Sequence, residues 1–301
     1  MMLHRISLGI ALGLLTLCPA ITMAQSAGAR DYSNTPVNDA RFFIDLLDTK
    51  ADTAAEANLP LPNNEAVVRT GVASLLYSFP IGAQYGGVAL SGGRATVKVD
   101  RPSVNIQTSG FSDPGFTFHV NIFGAPALRP DQFLSATPQT YLSFHFTTNA
   151  PLGSYERNSP VNVGGNRWAF TPLLNLSITR DEGVSWVDLY AGVRFFTNNN
   201  AFLGNKQLSQ NPLGILTAHY SHNIGQKMWV SIGVFYDKGG ESFINNVPQY
   251  DAASGFRPTV AISRAFGKFR ITLRLDDTSA TPDAAPTNRT VSLKIGGPLL
   301  F

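Results

Sequence analysis

Apolar and polar residues alternate along most of the chain with a period of two, which is typical of strands with one apolar and one polar face. At 228–238, for example, Val230, Ile232 and Val234 alternate with Ser231 and Gly233. The alternating segments are separated by turn-forming residues. They are residues 37–48, 66–79, 83–101, 114–123, 139–149, 166–179, 184–197, 213–225, 228–238, 256–266, 268–276 and 290–301. The pattern therefore predicts twelve strands.

The connections between the predicted strands alternate in length. Short ones lie at 181–183, 225–227 and Gly267. Long polar ones lie at 150–165, 198–212, 239–255 and 277–288. Short turns at one end and long loops at the other are typical of outer-membrane barrels. The sequence therefore predicts an all-β fold, a transmembrane antiparallel up-and-down β-barrel over residues 37–301.

Three segments leave a local choice open. Residues 37–48 fit a strand but also a short amphipathic helix. In 83–101 we expect Ala95, Val97 and Val99 to face lipid, and Gly92 and Gly93 to mark a bulge where the register changes. The connection 124–138 is long where a short turn is expected, so we predict a small periplasmic helix or lid that begins at Pro130.

A secreted soluble sandwich is the alternative to a membrane barrel, because both can have alternating faces. A barrel in lipid puts its apolar faces outside and closes its sheet, so that every backbone group is paired. A sandwich gives no reason for the alternation of short and long connections. It also gives none for a last strand that ends on Phe301, as bacterial outer-membrane barrels do. We therefore favour the barrel, with the barrel assembly machinery as a partner through Phe301.

The first residues resemble a secretory signal. Arg5 precedes the apolar run 6–18, and Pro19 and a "TMA" site follow, so we expect cleavage after Ala24. Residues 1–24 are then a signal peptide, and 25–36 a short periplasmic N-terminal segment. The single cysteine, Cys18, would leave with the signal. The remaining 22 basic and 20 acidic residues form no basic block, so nucleic acid is not an expected partner.

If the apolar faces contact outer-membrane lipid, the polar side chains between them point into the lumen. The expected lumen residues are Lys98, His119, Asn121, His145, Arg167, Asp188, Arg194, His219, Asp237, Lys268, Arg270, Arg274, Asp276 and Lys294. Basic residues dominate this set, as in a pore that favours anionic or polarisable solutes. The alternative is that these charges pair with the aspartates and fill a narrow lumen. Arg167 is of most interest, because it is expected to point inward just below a long loop.

Enzymatic chemistry has little support in the sequence. The histidines lack the spacing of a zinc-binding helix, and no Gly-x-Ser-x-Gly motif is present. His222 lies on the lipid-facing side and has no evident serine partner in the sequence. We expect neither a catalytic site nor a metal or other cofactor.

Five stretches carry a family resemblance. They are "SGFSDPGF" (109–116), "NIFGAPAL" (121–128), "TTNAPLGSYERNSPVNVGGNRWAFTPLLNLS" (147–177), "YAGVRFFTNNNAFLGNKQLSQNPL" (190–213) and "HYSHNIGQKMWVSIGVFYDKGGE" (219–241). Together they resemble the MetA-pathway of phenol degradation family of outer-membrane transporter barrels. The first motif departs slightly, with Phe111 and Ser112 before Asp113 where a glycine-rich form is more typical. The resemblance implies uptake of small, often aromatic, compounds and names no substrate.

Two hypotheses about function follow. The first is an outer-membrane channel for passive uptake of small organic compounds, including aromatic ones. The second is a closed barrel with a structural, adhesive or binding role through its extracellular loops. Solute flux through the purified protein distinguishes them.

Overall fold

The computed structural model of the protein describes residues 27–53, 64–101, 104–277 and 288–299. Most of these residues lie in antiparallel strands. The strands are β1 (Asp39–Thr53), β2 (Asn64–Ile81), β3 (Gln84–Arg101), β4 (Val104–Phe111), β5 (Gly115–Phe123), β6 (Tyr141–Asn149), β7 (Ala169–Arg180), β8 (Ser185–Phe196), β9 (Asn199–Phe202), β10 (Lys206–Gln210), β11 (Leu213–Ile224), β12 (Met228–Gly239), β13 (Ser242–Ile244), β14 (Val247–Pro248), β15 (Ala253–Phe266), β16 (Phe269–Asp277) and β17 (Asn288–Pro298).

The large sheet closes on itself. β1 pairs with β2 on one side and with β17 on the other. β4 and β5 both pair with β3, one continuing the other, so they act as one interrupted strand. The closed wall therefore has twelve strands, and the predicted up-and-down barrel is confirmed. The strand interpretation of residues 37–48 is also confirmed, because they lie almost entirely in β1.

The two ends of the barrel differ in their connections. One end, the turn end, carries the tight turns at 82–83, 225–227 and 267–268 and a single 3-10 turn, Asp181–Gly183. The other end, the loop end, carries the long connections. The segment between β5 and β6 lies at the turn end and contains one helical turn, α1 (Pro130–Phe133), with Pro130 at its first position. The predicted small helix is thus present.

Side chains along the wall alternate in exposure as a barrel in lipid requires. In β5 and β6, Phe116 and Ile122 are exposed on the outside, whereas His119 and His145 are buried inside. The outward faces are predominantly apolar. An exposed apolar surface of this kind is unfavourable in water. It is favourable in contact with hydrocarbon, because lipid tails accept apolar side chains. No helix within the described ranges is long and apolar enough to cross a membrane.

The loop-end halves of β1 to β4 extend the wall beyond its apolar band. β3 has 18 residues and is about 60 Å long at 3.3 Å per residue, roughly twice the height of such a band. In this extension the inward face is apolar. Ala95, Val97 and Val99 are buried in a core with Val161 and Val163 of the loop between β6 and β7.

This extension corrects two sequence predictions. Ala95, Val97 and Val99 face inward and not towards lipid, and Lys98 is exposed on the outer surface and not in the lumen. The reason is that water, not lipid, surrounds this part of the wall, so the apolar face turns inward. The expected register change at Gly92 and Gly93 is present on one side of β3 only: β2 pairs with β3 without a shift, whereas on the other side the three residues 112–114 lie opposite these two glycines and the register changes by one residue between β5 and β4. At these glycines the apolar residues of β3 move from the outward-facing to the inward-facing positions. The strand itself continues without interruption.

The strand break between β4 and β5 is organised by Asp113. Its carboxylate accepts hydrogen bonds from the backbone N–H of Gly153 and of Gly165, each at 2.8 Å. Ser112 meanwhile donates its backbone N–H to the carbonyl of Gly93 at 2.9 Å. The motifs around 109–116 and 161–168 thus meet at one carboxylate. They hold the loop between β6 and β7 against the wall.

Two long loops contain a second, smaller sheet that the sequence analysis did not predict. It has the strand order β14-β13-β10-β9 and joins residues 199–210 to residues 242–248 at the loop end. Phe202, Leu208 and Ile244 form its apolar core. These strands have two to five residues, too few for the alternation to be recognised in the sequence.

Candidate functional site

The lumen brings together most of the residues predicted to line it. The predicted residues that are buried on the inner face are His119, Asn121, His145, Asp188, Arg194, His219, Asp237 and Asp276. Arg270, Arg274 and Lys294 also point inward and are half-buried. Eleven polar or charged side chains of the predicted set, counting Lys294, therefore lie on one closed surface.

The remaining predicted residues lie elsewhere. Lys98 is outside, as described above. Lys268 lies in the exposed turn between β15 and β16, at the rim of the turn end. Arg167 is on no strand but in the loop that precedes β7, where its guanidinium donates to Gln210 Oε1 and lies 4.5 Å from the Phe196 ring. It thus connects that loop to the small sheet at the loop end.

The N-terminal segment, residues 27–38, occupies the lumen. The sequence predicts a short periplasmic segment over 25–36 and leaves open whether it plugs the lumen; the described part of it, 27–36, lies among the inward-facing side chains of the wall. The reason is a set of polar contacts that its hydrophobicity pattern does not indicate. Tyr190 donates its hydroxyl to the carbonyl of Gly28 at 3.1 Å. His219 Nε2 lies 3.2 Å from the carbonyl of Ala27, which can only accept, so this nitrogen carries the proton.

Arg30 fixes the segment to β8 and β11. Its backbone N–H donates to Asp188 Oδ2 at 3.0 Å, and its Nε donates to Ser221 Oγ at 2.8 Å. Its Nη1 donates to Asn223 Oδ1 at 2.7 Å, while Nη2 is buried without a partner among the described residues. Burial lowers the pKa of Arg30 to about 10; Asp188 opposes this change and Arg270 adds to it. The guanidinium is thus a cation whose hydrogen bonds go to neutral groups.

Asp31 fixes the segment to the seam where β1 meets β17. Lys294 of β17 lies 2.7 Å from Asp31 Oδ1 and 3.6 Å from Asp45 Oδ1 of β1. Burial opposes ionisation of Asp31, but the charges of Lys294 and Arg274 outweigh it and hold the pKa of this carboxyl below its ordinary value of 3.8. One lysine therefore joins the segment and both seam strands.

Tyr32 is the centre of a series of rings across the lumen. Its ring stacks on His145 with centroids 3.9 Å apart and meets Tyr190 edge-on at 5.4 Å. The series continues from His145 through His119 to Tyr85, and from Tyr190 to His219, with centroids 5.2–5.9 Å apart. The histidines that the sequence suggested as pore-lining thus form an aromatic surface around the N-terminal segment.

Towards the loop end the buried charges are paired. Arg257 Nη1 lies 3.5 Å from Asp237 Oδ2, and Arg274 Nε lies 3.2 Å from Asp276 Oδ2. Both guanidiniums also approach the ring of Phe235, at 4.8 and 5.6 Å. Arg257 is not among the residues predicted to line the lumen, although its buried position in β15 follows the same alternation. Here the alternative that lumen charges pair with the aspartates agrees with the geometry.

A cavity of about 550 Å³ lies on the turn side of the N-terminal segment. The segment contributes residues 29–31 and 33–35 to its wall, and the strands contribute Phe43, Trp229 and Arg270 among others. It reaches the turn end, since Gly267 and Lys268 also line it. Its volume falls within the range of small-molecule sites.

A serine does lie beside His222, contrary to expectation. Ser185 Oγ is 2.9 Å from His222 Nδ1. The Tyr220 hydroxyl donates to the same oxygen at 3.2 Å, and Ser185 is only 4% exposed. Ser185 Oγ is therefore enclosed in the wall between the His222 ring and the Tyr220 hydroxyl. Among the described residues no group of three histidines, cysteines or carboxylates could hold a metal ion.

A closed antiparallel barrel with an apolar outer band and a polar lumen defines an outer-membrane β-barrel protein. Residues 36–292 match the family described as "Putative MetA-pathway of phenol degradation", and the chain belongs to that family. The resemblance noted from the sequence is thereby confirmed.

Solved structures share the fold. The COG4313 outer membrane channel from Pseudomonas putida F1 is similar with a TM-score of 0.76 at 20% identity, over 91% of this chain and 100% of that one. The β domain of the Bordetella autotransporter BrkA is similar with a TM-score of 0.55 at 8% identity, over 86% and 99% of the two chains. A comparison with curated proteins finds no match.

Proposed function

We propose that the protein is a channel of the bacterial outer membrane for passive passage of small organic compounds, aromatic ones included. The observation that carries the proposal is the lumen. It is closed off from lipid, lined by polar groups and rings, and contains a cavity of about 550 Å³ that reaches the turn end. The similar structure from Pseudomonas putida is itself described as an outer membrane channel, and the family is described by phenol degradation. The first description fits the proposed role as a channel, and the second fits the proposed solute class.

The N-terminal segment is the proposed gate of this channel. It is held by hydrogen bonds, the ion pair between Asp31 and Lys294, and ring stacking, all of which are reversible. Tyr32 makes the central ring contacts, so Tyr32→Ala removes the stacking on His145 without touching the wall. The buried inward-facing side chains of the predicted set, from His119 to Asp276, form the proposed solute pathway.

Flux through the purified protein tests the proposal. In planar bilayers we expect wild type to conduct in short openings and Tyr32→Ala to conduct several-fold more. Tyr250→Ala is the control, since Tyr250 is 84% exposed and lies in the connection between β14 and β15 at the loop end. Liposomes that contain the protein should take up phenol faster than empty ones. Absence of both conductance and phenol uptake, in wild type and in Tyr32→Ala, would support the alternative of a closed barrel that acts through its loops.

Maturation and assembly are further parts of the proposal. Cleavage after Ala24 would leave a short segment before Ala27, and Phe301 would direct the last strand to the barrel assembly machinery. Residues 1–26, 300 and 301 lie outside the described part of the chain, so these proposals rest on the sequence pattern. Amino-terminal sequencing of the purified protein tests the first. The yield of folded protein after deletion of Phe301 tests the second.

A further inference from the structure

The cavity at the turn end has an excess of positive charge. The cationic side chains around it are Arg30, Arg41, Lys268, Arg270 and Lys294, and the carboxylates are Asp31 and Asp45. Lys294 is balanced by Asp31 and Asp45, and Arg41 by Asp39 at 2.7 Å. Among the described residues the guanidiniums of Arg30 and Arg270 have no carboxylate at ion-pair distance, although Asp188 lies near Arg30 and accepts its backbone N–H.

Arg30 and Arg270 both offer hydrogen-bond donors to an anion. Among the described residues neither guanidinium forms an ion pair with a carboxylate. Arg30 uses Nε and Nη1 on Ser221 and Asn223 and keeps Nη2 unpartnered, and Arg270 donates Nη1 to Ser263 Oγ at 3.2 Å. Two like charges around one cavity repel each other, so an anion between them would relieve the repulsion as well as accept their donors.

The same cavity also has an aromatic wall. The Trp229 ring centroid is 5.4 Å from the guanidinium carbon of Arg30, and Phe43 lines the opposite β1 side. Gly296 is positioned beneath Phe43, where a Cβ would collide with that ring. A flat apolar ring would therefore find stacking partners beside the two guanidiniums, as cavities that combine apolar walls with a few polar groups provide.

We propose that this cavity binds small aromatic carboxylates, with the carboxylate between Arg30 and Arg270 and the ring against Trp229. This inference rests on the proposed function and names the solute class for which the channel has a binding site. Because Arg30 belongs to the N-terminal segment, the bound anion contacts the proposed gate directly. A neutral phenol would use the aromatic wall alone and bind more weakly.

Benzoate block of the ion current tests the proposal, with phenol as the neutral probe. In wild type, benzoate should reduce the current at lower concentration than phenol does. Arg270→Gln should raise the half-blocking benzoate concentration about tenfold, as expected for loss of one charge-assisted hydrogen bond, and leave that of phenol unchanged. Arg264→Gln is the matched control, because Arg264 lies on the neighbouring strand but is exposed on the outer surface. Arg270→Lys should restore part of the benzoate effect.

Outcomes that overturn the inference differ from those that overturn the channel. If Arg270→Gln and Arg264→Gln respond equally to benzoate while both conduct and pass phenol, the carboxylate site is wrong and the channel remains. If purified wild type binds benzoate in calorimetry and Arg270→Gln does not, but neither conducts nor passes phenol, the site remains and the channel is wrong. Equal loss of benzoate and phenol block in Arg270→Gln would also contradict the inference, since it would indicate a general distortion of the cavity.

Discussion

Asp113 and Gly165, which are 52 residues apart in the chain, are joined by a 2.8 Å hydrogen bond from the backbone N–H to Oδ2. The other carboxylate oxygen accepts from the backbone N–H of Gly153 at 2.8 Å. Two glycine motifs and a strand break thus share one side chain. A side chain at Gly164 would collide with the backbone of Gly153, which explains why glycine is required at this junction.

Replacing Asp113 with alanine should therefore loosen the loop between β6 and β7. Loss of the carboxylate leaves two partly buried N–H donors unpaired, which we expect to cost about 2 kcal/mol. The measurement is the temperature at which the folded form disappears on an unheated gel, together with protease cleavage within 150–165. Asp100→Ala is the control, because Asp100 is exposed on the outer surface of β3. Equal melting and cleavage of the two variants would contradict the proposed anchoring.

Gly233→Ala should disturb the N-terminal segment indirectly, by displacing the His219 side chain that contacts it. A Cβ at Gly233 would collide with the ring of His219 and lie 2.7 Å from the carbonyl of Ala218. His219 would have to move and would lose its hydrogen bond to Ala27. We expect higher conductance and a lower unfolding temperature than for Gly255→Ala, where a Cβ meets nothing within 4 Å. A wild-type conductance in Gly233→Ala would show that His219 does not hold the segment.

The ion pair between Asp31 and Lys294 should persist at acidic pH. A carboxyl whose pKa is lowered in the folded protein stabilises it above the ordinary pKa, and this contribution is lost as the pH falls through the folded value. For Asp31 the loss should therefore occur only below pH 3.8. Wild type should stay less conductive than Asp31→Asn from neutral pH down to that value and approach it below. Convergence of the two near pH 6 would contradict the pairing.

Lys98 and Arg194 should differ in their effect on ion selectivity. Both were predicted to line the lumen, but Lys98 is exposed outside and Arg194 is buried inside, with Nε donating to Thr171 Oγ1 at 3.1 Å. A cation inside a narrow pore acts on permeating ions through a low-dielectric surrounding, whereas one in bulk water is screened. The reversal potential in a salt gradient should shift towards cations in Arg194→Gln and stay at the wild-type value in Lys98→Gln.

The alternation of apolar and polar residues with a period of two predicts most of the fold. Alternation predicts the strand number and the faces of β5 and β6, because lipid and lumen impose opposite demands on successive residues. It fails at Ala95, Val97 and Val99, where the wall extends beyond the membrane. Water surrounds the wall there, so the apolar side chains face inward. The pattern alone cannot indicate this, since it records that a face is apolar and not what covers it.

The candidate site was predictable only where it belongs to strands. His119, Asp188 and Arg194 follow from alternation and are buried in the lumen as expected. Arg30, Asp31 and Tyr32 could not be found this way, because their position depends on tertiary contacts with partners more than 100 residues away in the chain. The cavity arises from the same segment, so its existence was equally beyond the pattern.

Lys294 of β17 contacts both Asp45 of β1 and Asp31 of the N-terminal segment, so this anchor depends on the order in which the barrel assembles. Before β17 meets β1, Asp31 and Asp45 have no common cation, so the N-terminal segment lacks its anchor at the seam. The anchor at the seam is therefore complete only after closure, whereas the contacts of Arg30 with β8 and β11 do not depend on the seam. A label at Tyr32, next to Asp31, would then report on this anchor and so distinguish closed barrels from open intermediates.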